Sequence, residues 1–273
     1  MFKNDFSSPL IMGILNLTPD SFSDGGRYES SNAVSRGLEM VAEGADIIDI
    51  GGESSRPGAL KISATEQINR VLDTIVELRE RLPAGFPISI DTTLSEVADI
   101  AIEHGASMIN DISAGRDDPE ILSLAASNGV PIVLMHMQGS PATMQNAPVY
   151  KDVVSEVKAF FEKRIEAALT AGVDPNSLLL DPGIGFGKRK RDNLKLLSEL
   201  QQFAELGYPL MLGVSRKGFM GSVCEVSDPT QLIPATCACT ALGVMAGVKV
   251  FRVHDVLQNR QAADVTWAIR QGV

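Results

Sequence analysis

Acidic, amide and basic side chains recur directly after short apolar runs along this chain of 273 residues. They are Asn16, Asp49, Glu53, Asp91, Asn110, Asp111, His136, Gln138, Asp181, Ser215, Arg216, Lys217, Arg252, His254 and Asp255. One Asp after a strand is usually a helix cap, but so many polar strand ends exceed what capping requires. Buried Asp91 and Asp181 with Asn110 would offer acceptors and an amide to the N–H edge of a flat heterocycle. The pattern predicts an active site.

The segment 181–188 (DPGIGFGK) follows the apolar run 178–180 and precedes a helical pattern. Its three glycines cost conformational entropy and add nothing to a core, which is unusual for a segment built only for stability. An Asp at the carboxyl end of a strand in a parallel sheet lies where α/β proteins carry out their chemistry. Taken alone, the segment is equally typical of a Pro-Gly turn with a helix-capping acid.

Basic side chains follow the last two predicted strands, at Arg216, Lys217, Arg252 and His254. In α/β barrels this is the usual location of a phosphate site. Arg and Lys suit phosphoryl oxygens, and each hydrogen bond to a charged group contributes about 1.5–3 kcal/mol. Any one of these cations could instead form a salt bridge or lie along the surface. Together with the acids, they predict an enzyme acting on a phosphorylated or diphosphorylated nitrogen heterocycle.

Several other chemistries have no signature in the sequence. No nucleophile elbow, HExxH motif or Walker loop is present, and the Gly pairs at 25–26 and 51–52 lack a dinucleotide-binding context. The three cysteines suit a reducing compartment. Cys237 and Cys239 lie two residues apart in a small-residue helix, so they point to different faces and are expected to be packing residues rather than metal ligands.

Short strand-like runs alternate with helical patterns throughout the chain, which predicts βα units and a parallel sheet. The predicted strands are 10–15, 47–50, 88–90, 108–110, 132–135, 178–180, 210–212 and 250–253. Because no linker or composition shift interrupts them, residues 1–273 are predicted to form a single (β/α)8 TIM barrel, class α/β. An open doubly wound sheet is the alternative.

Local signals place two helix starts and three long loops. Ser63 and Glu66 have capping-box spacing for a helix over 65–81, and Asp228-Pro229 is expected to start a helix that runs to about Ala246. Segments 16–30, 51–62 and 138–149 are long connections after strands, and such connections are usually functional. In a barrel all three lie on one face.

The charge and the hydropathy of the chain limit the classes of partner that it is expected to bind. The net charge of −10 argues against nucleic acid, because phosphate backbones require clustered Lys and Arg. The longest weakly polar run, 235–248, is too short to span a bilayer, and no N-terminal signal is apparent. A cytoplasmic protein with small-molecule substrates, and with no membrane partner, is expected.

Eight sequence blocks together resemble the dihydropteroate synthase family. They are 12–26 (MGILNLTPDSFSDGG), 49–58 (DIGGESSRPG), 90–92 (IDT), 109–111 (IND), 134–139 (LMHMQG), 181–188 (DPGIGFGK), 215–217 (SRK) and 252–255 (RVHD). Each block alone is a modest signal, but eight in family order cover nearly the whole chain. One departure is Ser55, where many relatives carry Thr.

The resemblance implies a (β/α)8 barrel that condenses 6-hydroxymethyl-7,8-dihydropterin diphosphate with p-aminobenzoate, giving 7,8-dihydropteroate and diphosphate for folate synthesis. It implies dissociative loss of diphosphate, capture of the pterin cation by the amine, Mg2+ as cofactor and a homodimer. The helix around 233–246, rich in small and apolar residues, is compatible with a dimer face but would look similar in the interior.

The resemblance also implies roles for individual residues. The pterin would be held by Asp91, Asn110, Met135, Asp181, Phe186, Gly213 and Lys217. The diphosphate would contact Asn16, Arg252 and His254, with Asn16 also binding Mg2+. The p-aminobenzoate pocket would comprise Phe22, Ser55, Arg56, Pro57, Phe186, Ser215 and Lys217. The catalytic groups would be Lys217, Asp91, Asp181, Arg252 and His254.

Two rival interpretations stay open at this level. A pterin-dependent methyltransferase domain would share the barrel and the heterocycle-holding acids, but it would not need the long loops that carry Phe22 and Arg56-Pro57. A catalytically silent relative, kept for binding or assembly, would be expected to have lost Asn16, Lys217, Arg252 or those loops. The sequence retains all of them.

Overall fold

In a computed structural model, eight parallel strands form a barrel surrounded by helices. The structure describes residues 6–18 and 27–272, without the side chains of residues 27–31. The strands are β1 (Leu10–Asn16), β2 (Ile47–Gly51), β3 (Ile88–Asp91), β4 (Met108–Asp111), β5 (Ile132–Met135), β6 (Leu178–Asp181), β7 (Met211–Leu212) and β8 (Val250–Val253). The α-helices are α1 (Arg27–Ala42), α2 (Ala64–Arg81), α3 (Ser95–Glu103), α4 (Glu120–Asn128), α5 (Val153–Thr170), α6 (Lys190–Ser198), α7 (Leu200–Ala204), α8 (Gly218–Cys224), α9 (Ile233–Ala246) and α10 (Val256–Gln271).

The strands pair in the order β6-β5-β4-β3-β2-β1-β8-β7, so β6 and β7 are the two ends of the sheet. A single parallel bridge between Leu180 and Leu210 joins these ends, and the Leu180 N–H donates to the Pro209 carbonyl at 3.0 Å. The barrel is therefore nearly closed, and the (β/α)8 prediction is confirmed. β7 begins one residue later than predicted because Leu210 makes only this isolated bridge.

The barrel interior has an apolar floor with a polar layer above it. The floor consists of seven side chains, each at most 1% exposed: Met12, Ile47, Met108, Val133, Leu179, Met211 and Val250. Successive side chains of a strand point to opposite faces, so residues two positions further along also point inward. That second set is Ile14, Asp49, Asn110, Met135, Asp181, Gly213 and Arg252. Four of these seven residues are polar or charged, so the polar groups of the interior lie at the carboxyl ends of the strands.

The helices follow the sequence signals with one refinement. Ser63 caps α2 as predicted, its Oγ accepting the Glu66 N–H at 3.2 Å. Asp228 caps a 3-10 turn over Pro229–Leu232, and α9 begins only at Ile233. The turn has i to i+3 bonding because the Gln231 N–H donates to the Asp228 carbonyl at 3.1 Å. Within the described residues, every helix is too short or too polar to cross a bilayer.

Each strand is followed by a helix, and β6 and β7 are each followed by two α-helices. After β7, Glu225 adopts a left-handed backbone with φ 58° and ends α8 before the 3-10 turn leads into α9. On α9, Cys239 is buried and Cys237 is half-buried, in keeping with their predicted packing role.

Candidate active site

A cavity of about 810 Å³ opens at the carboxyl ends of the strands, a size suited to a small-molecule site. Its lining includes most of the residues predicted from the sequence: Asn16, Ser55, Arg56, Pro57, Asn110, Met135, Asp181, Phe186, Gly213, Ser215, Lys217, Arg252 and His254. Asp91 is not in the lining, and Phe22 lies outside the described residues. Residues from almost the whole length of the chain therefore meet around one space.

Arg252 lies between two carboxylates in the inner polar layer. Its Nε donates to Asp49 Oδ2 and its Nη2 to Asp91 Oδ2, both at 2.6 Å. Asp49 is fully buried, and burial raises the pKa of Asp91 while the Arg252 charge opposes that shift. Asp91 was predicted to hold the heterocycle, but it does not line the cavity. It contacts Arg252, which does. The paired acids fix the guanidinium with its remaining N–H groups available to a ligand.

Asn110 offers the cavity a hydrogen-bond acceptor. Its Nδ2 donates to Asp49 Oδ2 at 3.0 Å, and a carboxylate can accept only from the amino end of the amide. The Oδ1 atom consequently points away from Asp49. That buried oxygen has no donor among the described residues. A buried polar atom without a partner is costly, so a ligand N–H that reached Asn110 would bind favourably.

Asp181 is a second acceptor beside it. Its Oδ1 accepts the Gly183 N–H at 2.7 Å, and its Oδ2 faces Gly213, 3.5 Å from where a Cβ would stand. Burial raises the pKa of Asp181 to about 6, while the Gly183 N–H and the Lys217 charge lower it. At neutral pH the carboxylate is therefore mostly ionised, and it can accept parallel hydrogen bonds from a ligand.

Lys217 and Phe186 form one wall. The Lys217 Nζ lies 4.1 Å from the centroid of the Phe186 ring, a cation–π contact. The lysine stem passes over Gly185, whose φ is +86° and where a Cβ would be 2.9 Å from Lys217 Cδ. Burial and the Arg252 charge lower the pKa of Lys217 to about 8. Its amine is thus positive at neutral pH yet able to exchange a proton.

His254 and Ser215 are joined on the neighbouring wall. Ser215 Oγ accepts the His254 backbone N–H at 3.1 Å and lies 2.9 Å from the ring Nδ1. Burial, with the Arg252 and Arg216 charges, lowers the pKa of His254 to about 3, so the free site holds a neutral ring. If the Ser215 hydroxyl donates a hydrogen bond to Nδ1, the neutral ring carries its own hydrogen on Nε2. The Nε2–H group can then donate to a ligand. This arrangement suits an anionic ligand.

Arg216 differs from the expectation that it belongs with the phosphate-binding cations. Its Nε donates to Asp255 Oδ2 at 2.9 Å, and its Nη2 contacts the other oxygen of the same carboxylate. This bidentate pair occupies the two N–H groups of the guanidinium with which Arg216 would otherwise bind a phosphate. The backbone of Arg216 is left-handed, with φ 56°, which turns the chain between Ser215 and Lys217. Arg216 is therefore held as a structural cation at the rim.

Two of the long loops are closed at their bases and touch each other. Glu53 Oε1 accepts the Ile62 N–H at 2.8 Å, which closes the loop that carries Ser55, Arg56 and Pro57. In the loop 138–149, the Gln138 side chain both donates to and accepts from the Val149 backbone at 3.2 Å. The Gly58 N–H donates to the Pro141 carbonyl at 3.0 Å and links the loops. Both loops contribute to the cavity lining, the first through Arg56 and Pro57 and the second through Met144 and Gln145.

The sequence reasoning missed several residues that shape this site. Ile112, Met137 and Met144 pack with the predicted Met135 and Phe186 in one buried apolar cluster. Ile112 follows strand β4 directly, and Met144 is a large apolar residue inside a long loop, so both positions carried a detectable signal. Asp49 stood in the ring of strand ends but had no predicted role. Lys188 had no separate signal beyond its place after the glycines.

Known proteins share this architecture. A family model described as pterin binding enzyme matches residues 12–254. The chain is 45% identical over 261 residues to a Synechocystis dihydropteroate synthase, covering 94% of this chain and 90% of that protein. A Clostridium difficile dihydropteroate synthase, solved in the presence of pteroic acid, superposes with TM-score 0.92 at 40% identity, covering 98% and 99% of the two chains. A Xanthomonas albilineans dihydropteroate synthase with 4-aminobenzoic acid gives TM-score 0.91 at 43% identity, covering 98% and 95%. The chain belongs to the dihydropteroate synthase family of pterin-binding enzymes.

Proposed function

We propose that this chain condenses 6-hydroxymethyl-7,8-dihydropterin diphosphate with p-aminobenzoate, giving 7,8-dihydropteroate and diphosphate. The observation that carries the proposal is one cavity with acceptors for a heterocycle at one side, and with two cations and a histidine donor for an anion beside them. Asp181 and Asn110 supply the acceptors, while Lys217, Arg252 and His254 line the same space. Similarity to enzymes of this name over nearly the full chain supports the same reaction.

The pterin is assigned to the slot above the apolar floor. Asp181 accepts hydrogen bonds from the ring N–H and the exocyclic amine, and Asn110 Oδ1 accepts a further N–H. Met135, Phe186 and Gly213 line the space for the flat ring. Asp91 acts on this slot through Arg252, to which it is bound at 2.6 Å. A site built from such acceptors discriminates strongly against analogues that lack the donors.

The diphosphate is assigned to Asn16, Arg252 and His254, which all line the cavity. Mg2+ usually binds through one or two protein oxygens together with substrate phosphates and waters. Asn16 Oδ1 and Asp91 Oδ2 each lie 3.6 Å from where a Gly51 Cβ would stand, but Asp91 Oδ2 already accepts from Arg252. Among the described residues no cluster of three or more His, Cys, Asp or Glu could hold a metal alone. Asn16 therefore fits as the protein ligand of an Mg2+ that arrives with the diphosphate, where the ion would neutralise phosphate charge.

The p-aminobenzoate is assigned to the outer part of the cavity. Ser55, Arg56 and Pro57 line it from the second loop, and Ser215 and Lys217 from the segment after β7. Arg56 is exposed at the rim, where its guanidinium can pair with the carboxylate of the substrate. Phe186 supplies an aromatic wall shared with the pterin slot. Phe22 is proposed for the same pocket on the resemblance alone.

The reaction proposed for this site is a dissociative substitution. The bond between the pterin methylene and the diphosphate oxygen breaks first, and Arg252 and His254 stabilise the departing anion. Asp181 and Asp91 stabilise the positive charge that develops on the ring. The p-aminobenzoate nitrogen then forms the new C–N bond and releases a proton, which Lys217 can accept in its neutral form. Closure of the loops would exclude water from the cation.

The experiment that tests this function is a diphosphate-release assay with both substrates. Release is expected to require p-aminobenzoate and Mg2+, and a chelator should abolish it. The product is checked by mass as 7,8-dihydropteroate. Release that proceeds equally without p-aminobenzoate would contradict the condensation. Methyl transfer from a methylated pterin, with no condensation, would favour the methyltransferase alternative.

We also propose that the chain forms a homodimer through α9 and α10. Leu242 and Met245 on α9, with Val265 and Ile269 on α10, are all more than half exposed. The two helices pack together, and the Arg270 Nη1 donates to the Val244 carbonyl at 2.7 Å, so these side chains share one surface. Apolar patches of this kind mark interaction sites.

Leu242→Glu combined with Val265→Glu is expected to convert the dimer to a monomer in sedimentation velocity experiments. Burying two carboxylates in an apolar contact should weaken association at least about tenfold, given ~1.5–3 kcal/mol per buried apolar side chain. The matched control is Leu194→Glu, an exposed leucine on α6 away from this surface. A monomeric wild-type chain, or a dimer unaffected by the double variant, would contradict the proposal.

The remaining partner and location assignments stay proposals. All three cysteines are free thiols, which suits a reducing compartment such as the cytoplasm. The net charge of −10 disfavours nucleic acid and anionic membrane surfaces as partners. We therefore assign only small-molecule substrates and a second copy of the chain.

A further inference from the structure

Lys188 is a buried lysine that the proposed reaction does not use. Its side chain is 2% exposed, although it borders the cavity. The Nζ donates to the carbonyl oxygens of Gly183 at 2.8 Å, Phe186 at 2.9 Å and His136 at 3.2 Å, and lies 2.9 Å from His136 Nδ1. None of the salt bridges among the described residues includes Lys188. Lysine is rarely buried without a carboxylate, so this placement calls for a reason.

The first of these carbonyls belongs to the residue that orients Asp181. Gly183 donates its N–H to Asp181 Oδ1 at 2.7 Å and gives its carbonyl to Lys188 at 2.8 Å. Its φ is +65°, and a Cβ there would be 1.9 Å from the His136 carbonyl oxygen. The turn is thus pressed against the end of β5. The His136 N–H in turn donates to the Asp181 carbonyl at 2.9 Å.

The second carbonyl belongs to Phe186, whose ring forms the wall beneath Lys217. Lys188 therefore contacts both ends of the turn 183–186. One end sets the direction of the Asp181 carboxylate, and the other carries the aromatic wall. Without this ammonium, the Phe186 and His136 carbonyls would lose a donor, and the Gly183 carbonyl would keep only the Phe186 N–H at 3.0 Å. Carbonyls left without donors in a buried turn are costly, so the turn would be less stable in its present conformation.

We propose that Lys188 is a positioning residue of the pterin slot, which fixes the 183–186 turn and thereby the direction of the Asp181 carboxyl that faces the ligand. This inference rests on the pterin role proposed for Asp181. Lys188 need not touch the substrate. It acts through the Gly183 N–H, through the Phe186 backbone and through its own charge.

The charges around the turn determine whether removal of Lys188 raises or lowers the pKa of Asp181. Lys217, Lys188 and Arg252 face Asp181, and each lowers the pKa of that carboxyl, which burial raises to about 6. Asp181, Lys217, Asp192 and Arg116 act on Lys188, whose pKa burial lowers to about 7. His136 stays neutral, because burial and the Lys188 charge lower its pKa to about 2. Removing the Lys188 charge should therefore raise the pKa of Asp181.

The test compares Lys188→Met with the wild-type chain in calorimetric titrations with bare pterin between pH 5 and pH 9. In the wild type, affinity should fall as pH drops through about 6, because protonated Asp181 loses an acceptor. In Lys188→Met this loss should occur about one pH unit higher, as expected for removal of a nearby opposite charge. At pH 7 that shift alone should lower affinity about twofold, because about half of the Asp181 carboxyls would then be protonated, and opening of the turn should lower it further. A residue that only supports the fold would not move the pH profile.

Lys195→Met is the matched control, since Lys195 is exposed on α6 and pairs only with Glu199. It should keep both the affinity and the pH profile of the wild type. If Lys188→Met does not fold, lysine side-chain NMR of the wild-type chain decides. Two lysines are expected to titrate well below the ordinary range, Lys217 near pH 8 and Lys188 near pH 7. The Lys188 signal is the one that remains in Lys217→Met, and in the wild type it should shift on pterin saturation.

The outcomes separate this inference from the proposed function. A Lys188→Met variant with wild-type affinity and pH profile would overturn the inference while leaving the pterin site intact. A buried lysine that titrates at its ordinary pKa, unaffected by pterin, would overturn it too. A wild-type chain that binds no pterin would overturn the proposed function itself.

Discussion

Asp181→Asn is expected to abolish measurable pterin binding while the barrel stays folded. The variant replaces a carboxylate oxygen with an amino group that faces the N–H donors of the pterin. Two hydrogen bonds to a charged acceptor contribute about 3–6 kcal/mol together, so affinity should fall about 100-fold or more. The fold should persist, because the amide oxygen can still accept the Gly183 N–H and a buried charge is removed. Calorimetry with bare pterin measures the loss, and circular dichroism reports the fold.

The matched control is Asp174→Asn, at the opposite end of the same βα unit. Asp174 is exposed and accepts the Asn176 N–H at 2.8 Å, a capping role that Asn fills equally well. It should bind pterin as the wild type does. Unchanged pterin affinity in Asp181→Asn would refute the assignment of Asp181 as the heterocycle anchor.

Arg252→Ala is expected to lower the free energy of unfolding by about 3–5 kcal/mol, the range for breaking a buried ion pair. The substitution leaves Asp49 without its cation in a fully buried position and removes the partner of Asp91. Urea denaturation followed by circular dichroism measures the change. Asp49→Asn placed in the same chain should recover part of the loss, because it removes one of the two unpaired charges.

The same variant tests the assignment of the diphosphate. Arg252→Ala should weaken binding of the pterin diphosphate ester more than binding of the bare pterin, since only the ester presents phosphoryl oxygens. The measurement is best made in the background of Asp49→Asn, which serves as its own reference. Equal losses for the two ligands would refute the diphosphate role of Arg252.

The sequence predicted the architecture well because its signals are local or periodic. Every predicted strand is present, and Asp181, Asn110, Lys217 and Arg252 lie around one cavity as the strand-end pattern required. The inward-facing positions follow from the two-residue period once the barrel is closed. The resemblance then supplied the substrates, which residue spacing alone had narrowed only to a phosphorylated heterocycle.

What the sequence did not predict are contacts between residues far apart in the chain. Nothing near Arg216 indicated that Asp255, 39 residues away, would occupy its guanidinium. Asp91 and Arg252 are 161 residues apart, so their pairing, which keeps Asp91 out of the cavity lining, appears only in the folded chain. Lys188 begins a run of charged residues, so nothing in the sequence distinguishes it from its neighbours. Its burial depends on the conformation of the 183–186 turn, whose carbonyls it contacts.

The weak connection between β6 and β7 means that a bound ligand can stabilise the barrel itself. β6 and β7 share one bridge, and residues at their carboxyl ends line the cavity: Asp181, the last residue of β6, and Gly213 and Lys217, which follow β7. A ligand seated between them would span the seam and supply contacts that the backbone does not make there. Bound substrate would then hold β6 and β7 together. Local opening of the barrel between these two strands should therefore be rarer in the ligand-bound protein than in the free protein.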